Sequence, residues 1–267
     1  MSEARCRQDV RVKFADIDGV RTRYLYAGDG PPLLLLHGVG MPADCLLRNI
    51  DPLASRFSVF APDVLGHGFT DAADLSGAAA QIAMAKHIVQ LADGLGLGSF
   101  SALGFSFGAL VAAMVYFERP EQVRKLVLVG TGSTFYPADE PMNMSRAAAA
   151  NGMTAMTDPT LQSCGTRASN IVYDPSVIPT ELIWIELTVY ALPDLLAAYK
   201  ETIESSVVHL EDASTRVFDR LEQIACPAKV IVGRNDIRAD RNNSIPRLAA
   251  LSVAADLKVR VVRPPGA

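Results

Sequence analysis

One stretch of this sequence combines a strand, a very tight turn and a helix. The apolar residues Phe100, Ala102 and Leu103 precede the motif G-F-S-F-G at 104–108, and a run of small and apolar residues, 109–117, follows it. A turn this sharp leaves no room for Cβ atoms two positions before and two positions after the serine, so both places hold glycine. The pattern predicts that Ser106 stands at the carboxyl end of a strand, above helical N–H groups that attract negative charge.

Segments with strand character alternate with segments of helical periodicity along most of the chain. The strand segments are residues 10–14, 20–26, 33–36, 57–61, 100–104, 125–129, 228–232 and 258–262. The first two are predicted to form a hairpin around Asp18 and Gly19. Helices are predicted over residues 43–54, 78–95, 109–117 and 245–253. This order predicts a three-layer α/β fold with a mostly parallel eight-stranded sheet.

The strand rhythm stops between residues 134 and 221. Prolines divide this segment, and the pieces between them have helical character. We therefore predict two units. Residues 1–133 and 222–267 form an α/β core, and residues 134–221 form a helical cap, or lid, inserted into it.

Composition argues against several classes of function. The formal net charge is -4 and no Lys/Arg cluster stands out, so no nucleic acid partner is expected. The apolar runs are far shorter than the ~20 residues of a membrane span, and the N-terminus lacks the apolar core of a signal peptide. The cysteines and histidines show no metal-ligand spacing. We expect a cytoplasmic protein without metal or cofactor that acts on a small molecule, with a homodimer left open.

Polar residues lie just past the ends of several predicted strands, namely His37, Asp63, Ser106 and Asp236. Because the carboxyl ends of parallel strands meet at one edge of a sheet, these residues are expected to converge. Plainer roles compete for two of them. Ser106 could cap the helix that follows it, and Asp236 could cap a turn.

The chain resembles the α/β-hydrolase fold superfamily from about residue 10 to its last residue. The resemblance rests on five motifs in order: LLLLHG at 33–38, PDxxGxG at 62–68, GFSFG at 104–108, KLVLV at 125–129 and VIVGxxD at 230–236. It implies that Ser106 is a nucleophile and that Asp236 orients the catalytic base. It also implies that the backbone N–H groups of Val39 and Phe107 form an oxyanion hole.

The same resemblance assigns roles to further residues around the serine. The motif glycines are Gly38, Gly104 and Gly108. The candidate pocket residues are His37, Phe105 and Trp184, with Tyr190 and Met153 or Met156 as further candidates. Core packing is the competing role for Trp184, Tyr190 and the methionines.

The histidine that this superfamily carries after its last strand has no counterpart in the sequence. Only residues 263–267, RPPGA, follow the last predicted strand, and the histidines lie elsewhere, at His37, His67, His87 and His209. Two explanations stay open. The sequence is truncated just ahead of a Gly-His motif and a final helix, or the protein is a complete, non-catalytic binding protein on a hydrolase scaffold. We expect the 267-residue sequence to hydrolyse esters very poorly, because a missing triad member leaves only residual catalysis.

A serine at the nucleophile position also limits the types of reaction that the resemblance implies. The haloalkane dehalogenase and epoxide hydrolase branches use aspartate at this position, so the resemblance argues against both. Residues 37–42 (HGVGMP) and 48–50 (RNI) resemble the meta-cleavage-product hydrolases, but Phe105 stands where that group carries asparagine. The predicted reaction is hydrolysis of a small hydrophobic ester or related acyl or carbonyl substrate, and the alternative is C–C bond hydrolysis of the meta-cleavage type.

Overall fold

The structure is a computed structural model that describes residues 9–75, 77–130, 141–209, 211–233 and 258–262. Its strands are β1 (Arg11–Ile17), β2 (Val20–Ala27), β3 (Pro32–Leu36), β4 (Ser58–Pro62), β5 (Phe100–Phe105), β6 (Val123–Val129), β7 (Ala228–Gly233) and β8 (Lys258–Val262). They form one eight-stranded sheet in the order β1-β2-β4-β3-β5-β6-β7-β8. The β1–β2 and β2–β4 pairs are antiparallel and the other pairs are parallel. The predicted sheet is confirmed.

The α-helices are α1 (Leu47–Ala54), α2 (Ala80–Gly94), α3 (Phe107–Glu118), α4 (Pro141–Thr157), α5 (Leu161–Ser169), α6 (Thr180–Tyr190) and α7 (Leu195–Val208). Short 3-10 helices span Ala43–Leu46, Pro175–Val177, Ala213–Thr215 and Phe218–Gln223. The helix predicted over 43–54 therefore differs from expectation, because its first turn is a 3-10 helix. There the N–H of Cys45 donates to the carbonyl oxygen of Pro42, only three residues earlier. The helix predicted over 245–253 lies outside the described residues.

The four consecutive leucines of β3 show how the sheet is covered on both faces. Leu34 and Leu36 pack into one buried cluster with α2 and α3, whereas Leu33 and Leu35 pack into another with α1. Successive side chains of a strand point to opposite faces, so an unbroken apolar run is what a doubly covered strand requires. It also fits the strand order, in which β3 and its neighbour β5 lie at the centre of the sheet.

The helices between β6 and β7 have a buried cluster of their own. It contains residues of α4 to α7, among them Met156, Tyr190 and Tyr199. Val39, which follows β3, packs against the same cluster. The division of the chain into a core and a cap at residues 134 and 221 stays a prediction, but these helices do touch the loop at the end of β3.

No single described helix is long and apolar enough to cross a bilayer. The pair α6 and α7 passes the same test of length and composition only when taken together, and it is bent by 92°. No group of His, Cys, Asp and Glu among the described residues is suited to hold a metal ion.

Candidate active site

Ser106 occupies a strained turn between β5 and α3. Its backbone lies at φ 55 and ψ -120, a region that side-chain-bearing residues rarely adopt. Besides Ser106, only Asp18 among the described non-glycine residues has a positive φ. The Ser106 side chain makes no capping hydrogen bond to α3, so the structure does not support the reading of this serine as a helix cap. Strain of this kind concentrates at functional sites.

Two glycines make the turn sterically feasible. A Cβ atom on Gly104 would overlap the backbone carbonyl of Gly108, and a Cβ atom on Gly108 would overlap the carbonyl oxygens of Leu36 and His37. The second contact brings the beginning of α3 directly against the end of β3. The predicted reason for glycine at both positions, a lack of room for Cβ atoms, therefore agrees with the geometry.

The loop at residues 38–41 runs beside the serine. A Cβ atom on Gly38 would lie 3.3 Å from the Ser106 Cβ and 3.6 Å from Cδ1 of Phe105. Val39 N–H and Phe107 N–H, the two predicted oxyanion donors, enter no hydrogen bond that joins them to other described residues. Phe107 is the first residue of α3, so its N–H lacks a helical partner for the usual reason. Both donors stand on segments that adjoin Ser106.

His37 is buried and anchors this loop, and its role in lining a pocket stays a prediction. Its Nε2 accepts a hydrogen bond from the Val64 N–H at 2.9 Å, so its Nδ1 carries the proton and donates to the carbonyl oxygen of Gly38 at 2.9 Å. The ring is fully buried. Burial lowers the pKa of His37 to about 4, against the smaller opposing effect of the Gly38 hydrogen bond. His37 is therefore neutral at pH 7.

A buried ion-pair network joins the loop after β3 to the loop after β4. The Asp63 carboxylate accepts hydrogen bonds from the N–H groups of Ala43 at 2.6 Å and Phe69 at 2.9 Å. It also pairs with Arg23 at 3.0 Å, and Arg23 makes a second, bidentate pair with Asp44 at 2.6 and 3.0 Å. Asp63 thus follows its strand as predicted, but its contacts fix two loops in place.

A second network reaches the loop from the helices between β6 and β7. Nη2 of Arg167, on α5, donates to the Val39 carbonyl oxygen at 3.2 Å, and Nη1 pairs with Glu186 of α6 at 2.8 Å. The hydroxyl of Tyr190, also on α6, donates to the Gly40 carbonyl oxygen at 2.7 Å. Burial raises the pKa of the Glu186 carboxyl, and Arg167 opposes that rise. These three side chains are all buried.

The remaining histidines are engaged elsewhere. Nδ1 of His67 donates to the Leu65 carbonyl, and the centroid of its ring lies 5.5 Å from that of the His37 ring, with the two rings tilted by 48°. His87 bonds to the Thr22 hydroxyl at 2.9 Å, and His209 to the Ser205 carbonyl at 2.8 Å. No hydrogen bond joins any of the four histidines to Ser106 within the described parts of the chain. Asp236 lies outside the described residues, so its role stays a prediction.

Trp184 and Tyr190, two of the candidate pocket residues, lie in different surroundings. Trp184 is 52% exposed on α6, so it is not a core residue, and its pocket role stays a prediction. Tyr190 is buried, and its hydroxyl reaches the loop of Val39 and Gly40. Sequence reasoning missed Arg167 and Glu186. One signal was present, since Glu186 interrupts an otherwise apolar stretch of α6 and a buried acid needs a partner.

Comparisons with known proteins give the family background. A family model described as the alpha/beta hydrolase fold matches residues 31–163. The acetyltransferase component of the acetoin cleaving system of Cupriavidus necator is 36% identical over 118 residues, which cover 44% of this chain and only 31% of that protein. A 2-hydroxy-6-oxononadienedioate/2-hydroxy-6-oxononatrienedioate hydrolase of Pseudomonas putida is 29% identical over 261 residues, covering 94% of this chain and 88% of the relative.

Solved structures agree at the level of the fold. An epoxide hydrolase, CorEH, superposes with a TM-score of 0.73 at 22% sequence identity, over 96% of this chain and 91% of the other. Identity this low carries information about architecture and not about the reaction.

Proposed function

Since the chain belongs to the α/β-hydrolase fold superfamily, we propose that it is built as a serine hydrolase with Ser106 as its nucleophile. The single observation that carries the proposal is the strained backbone of Ser106, at φ 55 and ψ -120, enclosed by two glycines that admit no Cβ. A serine kept in such a conformation without capping its helix needs a reason other than fold stability. Exposure of a nucleophile at the end of a strand is that reason.

In the proposed reaction the Ser106 Oγ attacks the carbonyl carbon of an ester, gives its proton to a base and forms a tetrahedral adduct. The carbonyl oxygen becomes an oxyanion, which the N–H groups of Val39 and Phe107 stabilise together with the amino end of α3. Each such donor is typically worth ~3 kcal/mol in the transition state. When this oxyanion collapses, the C–O bond to the alcohol breaks, the alcohol leaves with the proton taken from Ser106, and the acyl group stays on the Ser106 Oγ. Water then attacks the acyl carbon, the bond to Oγ breaks, and the carboxylic acid leaves while a proton from the water returns to Ser106.

Attack by Ser106 also requires an acceptor for its proton. None of the four histidines is hydrogen-bonded to Ser106 in the described parts of the chain, and His37 uses both of its ring nitrogens elsewhere. We propose that Asp236 is the triad acid and that the 267-residue chain holds the nucleophile without its imidazole base. The expected turnover is therefore slow, because the oxyanion hole and binding alone give only residual catalysis.

We propose a small hydrophobic ester or related acyl compound as the substrate. Phe105 and Val39, which adjoin Ser106 or its loop, offer apolar surface, and the helices between β6 and β7 are proposed to act as a cap over it. Arg167 is already paired with Glu186, which leaves its charge neutralised and less available to an acidic substrate.

A second candidate is hydrolysis of a C–C bond in a ring-cleavage product. It is favoured by the Pseudomonas putida relative, which matches over 94% of this chain, and opposed by Phe105 in place of a polar residue. A non-catalytic binding protein on the same scaffold is the third candidate.

Added imidazole separates these candidates. Hydrolysis of p-nitrophenyl butyrate is measured for the wild type and for Ser106→Ala, without and with imidazole as a substitute base. The proposal expects a slow rate that depends on Ser106 and rises with imidazole, after subtraction of the rate of the alanine variant. Equal rates for both proteins at every imidazole concentration would leave only the binding-protein reading. Faster turnover of a 2-hydroxy-6-oxo-dienoate than of any ester would select the C–C hydrolase.

A further inference from the structure

Three consecutive backbone carbonyls of the loop after β3 are each held by a different partner. The carbonyl of Gly38 accepts from the Met41 N–H at 3.2 Å and from Nδ1 of His37 at 2.9 Å. The next two carbonyls, of Val39 and Gly40, accept from side chains on α5 and α6, more than 120 residues away in sequence. The loop is thus fixed partly from within and partly by the helices between β6 and β7.

Of these three carbonyls, the one of Gly38 fixes the direction of the Val39 N–H. A trans peptide is planar, and its N–H points opposite to its C=O. The Gly38 carbonyl therefore aims the Val39 N–H, while the Val39 and Gly40 carbonyls set the two peptide planes that follow it. A donor directed at a developing oxyanion works only if it is already oriented when charge forms.

We propose that Arg167 and Tyr190 are positioning residues for this oxyanion loop, and that Glu186 holds the Arg167 guanidinium in the orientation that reaches Val39. The assignment rests on the proposed function, because it gives these side chains a role in holding the two peptides that follow Val39, so that the loop carrying the Val39 N–H keeps its place beside Ser106. Neither residue touches substrate in this account. They act through the loop backbone, which ties the two helices to the chemistry at Ser106.

The packing around Gly40 supports a tight fit between the loop and these helices. Gly40 has φ +70, and a Cβ atom there would lie 2.9 Å from Cε2 of Tyr199, 3.0 Å from Cε of Met156 and 3.2 Å from Nη2 of Arg167. The backbone of Gly40 therefore packs closely against side chains of α4, α5 and α7, which leave little room for a side chain at this position. The Arg167–Glu186 pair is shielded from water, with side-chain exposures of 5% and 0%, so its geometry is not loosened by solvent.

Tyr190→Phe tests the proposal with a matched control, Tyr116→Phe. Each substitution removes one phenolic hydroxyl that bonds backbone. The Tyr190 hydroxyl reaches Gly40 of the loop, whereas the Tyr116 hydroxyl donates to Gln223 O at 3.2 Å and accepts from Ala225 N at 2.8 Å. Imidazole-supported p-nitrophenyl butyrate turnover is measured as kcat and KM after subtraction of the Ser106→Ala rate, and hydrogen exchange is followed at residues 38–41.

The expected result is a kcat about tenfold lower in Tyr190→Phe, with KM unchanged, because a misdirected donor weakens the transition state and not substrate binding. Exchange at residues 38–41 should be faster in this variant only. A kcat equal to that of Tyr116→Phe, or a change in KM alone, overturns the positioning role. If the wild type shows no Ser106-dependent turnover, the proposed function has failed, and the exchange comparison alone decides whether Tyr190 orders the loop.

Discussion

The backbone N–H of Ser106 donates to the carbonyl oxygen of Val129 at 2.9 Å. This bond ties the strained residue to β6, the strand next to the one it ends. The Ser106 carbonyl in turn accepts from the Ala109 N–H at 2.9 Å, within the first turn of α3. A strained conformation persists only where its surroundings fix it on several sides, and these two bonds do so.

The glycines beside Ser106 give the sharpest steric prediction. Gly104→Ala should fail to fold or lose ~4–5 kcal/mol of stability, a loss seen only for the most damaging substitutions, because its Cβ would overlap the Gly108 carbonyl. Gly165→Ala, inside α5, is the control. Its Cβ would meet only Cδ1 of Ile183 at 3.8 Å, and alanine should stabilise the helix by ~0.5–1 kcal/mol. Urea unfolding of the two variants checks both; a Gly104→Ala protein as stable as the wild type would contradict the steric account.

Relief of strain at Ser106 should be measurable. The free energy of unfolding of Ser106→Gly is expected to be about 1 kcal/mol higher than that of Ser106→Ala, because glycine adopts positive φ without the steric cost of a Cβ. At an exposed position inside a helix, by contrast, the glycine form is less stable than the alanine form. Ala150→Gly, in α4, should cost about 1 kcal/mol. Chemical denaturation measures both differences, and a less stable glycine variant at 106 would show that its backbone is not strained.

The fold was largely predictable from the sequence because its signals are local. The leucines of β3 and the glycines at 104 and 108 predict strands and a turn by periodicity and sterics alone. The contacts of Arg167 and Glu186 were not predictable in this way. They join α5 and α6 to a loop far away in sequence, and no spacing rule connects side chains whose proximity depends on tertiary packing.

The same limit applies to Asp63, whose place after β4 was predicted and whose partners were not. Asp63→Asn should cost about 3 kcal/mol, because it weakens a fully buried pair with Arg23 and disturbs two backbone contacts. Glu118→Gln removes a charge from an exposed pair, with side-chain exposures of 40% and 37%, and should change stability by less than ~0.5 kcal/mol. Similar losses in the two variants, measured in urea, would argue against a structural role for the buried network.

Buried histidines predict that stability falls in mild acid. Burial lowers the pKa of both His37 and His87 from 6.5 to about 4, so the unfolded chain takes up protons first as the pH drops below about 6.5. For His37 the difference corresponds to about 3 kcal/mol, lost progressively between pH 6.5 and 4.

His87→Gln isolates one of these groups. Glutamine can still bond to the Thr22 hydroxyl but does not titrate. The free energy of unfolding should therefore fall less steeply between pH 6.5 and 4 in the variant than in the wild type. Parallel slopes would mean that His87 takes up its proton at the same pH in the native and unfolded states, and that burial does not lower its pKa.

The most direct test of the central claim is covalent labelling of Ser106. The protein is incubated with a fluorophosphonate, without and with imidazole, and the modified residue is mapped by mass spectrometry of peptides. The account predicts a single adduct at Ser106 that forms slowly, forms faster with imidazole, and is absent in Ser106→Ala. Adducts spread over other serines, or a Ser106 that stays unmodified even with imidazole, would contradict the assignment of Ser106 as a positioned nucleophile.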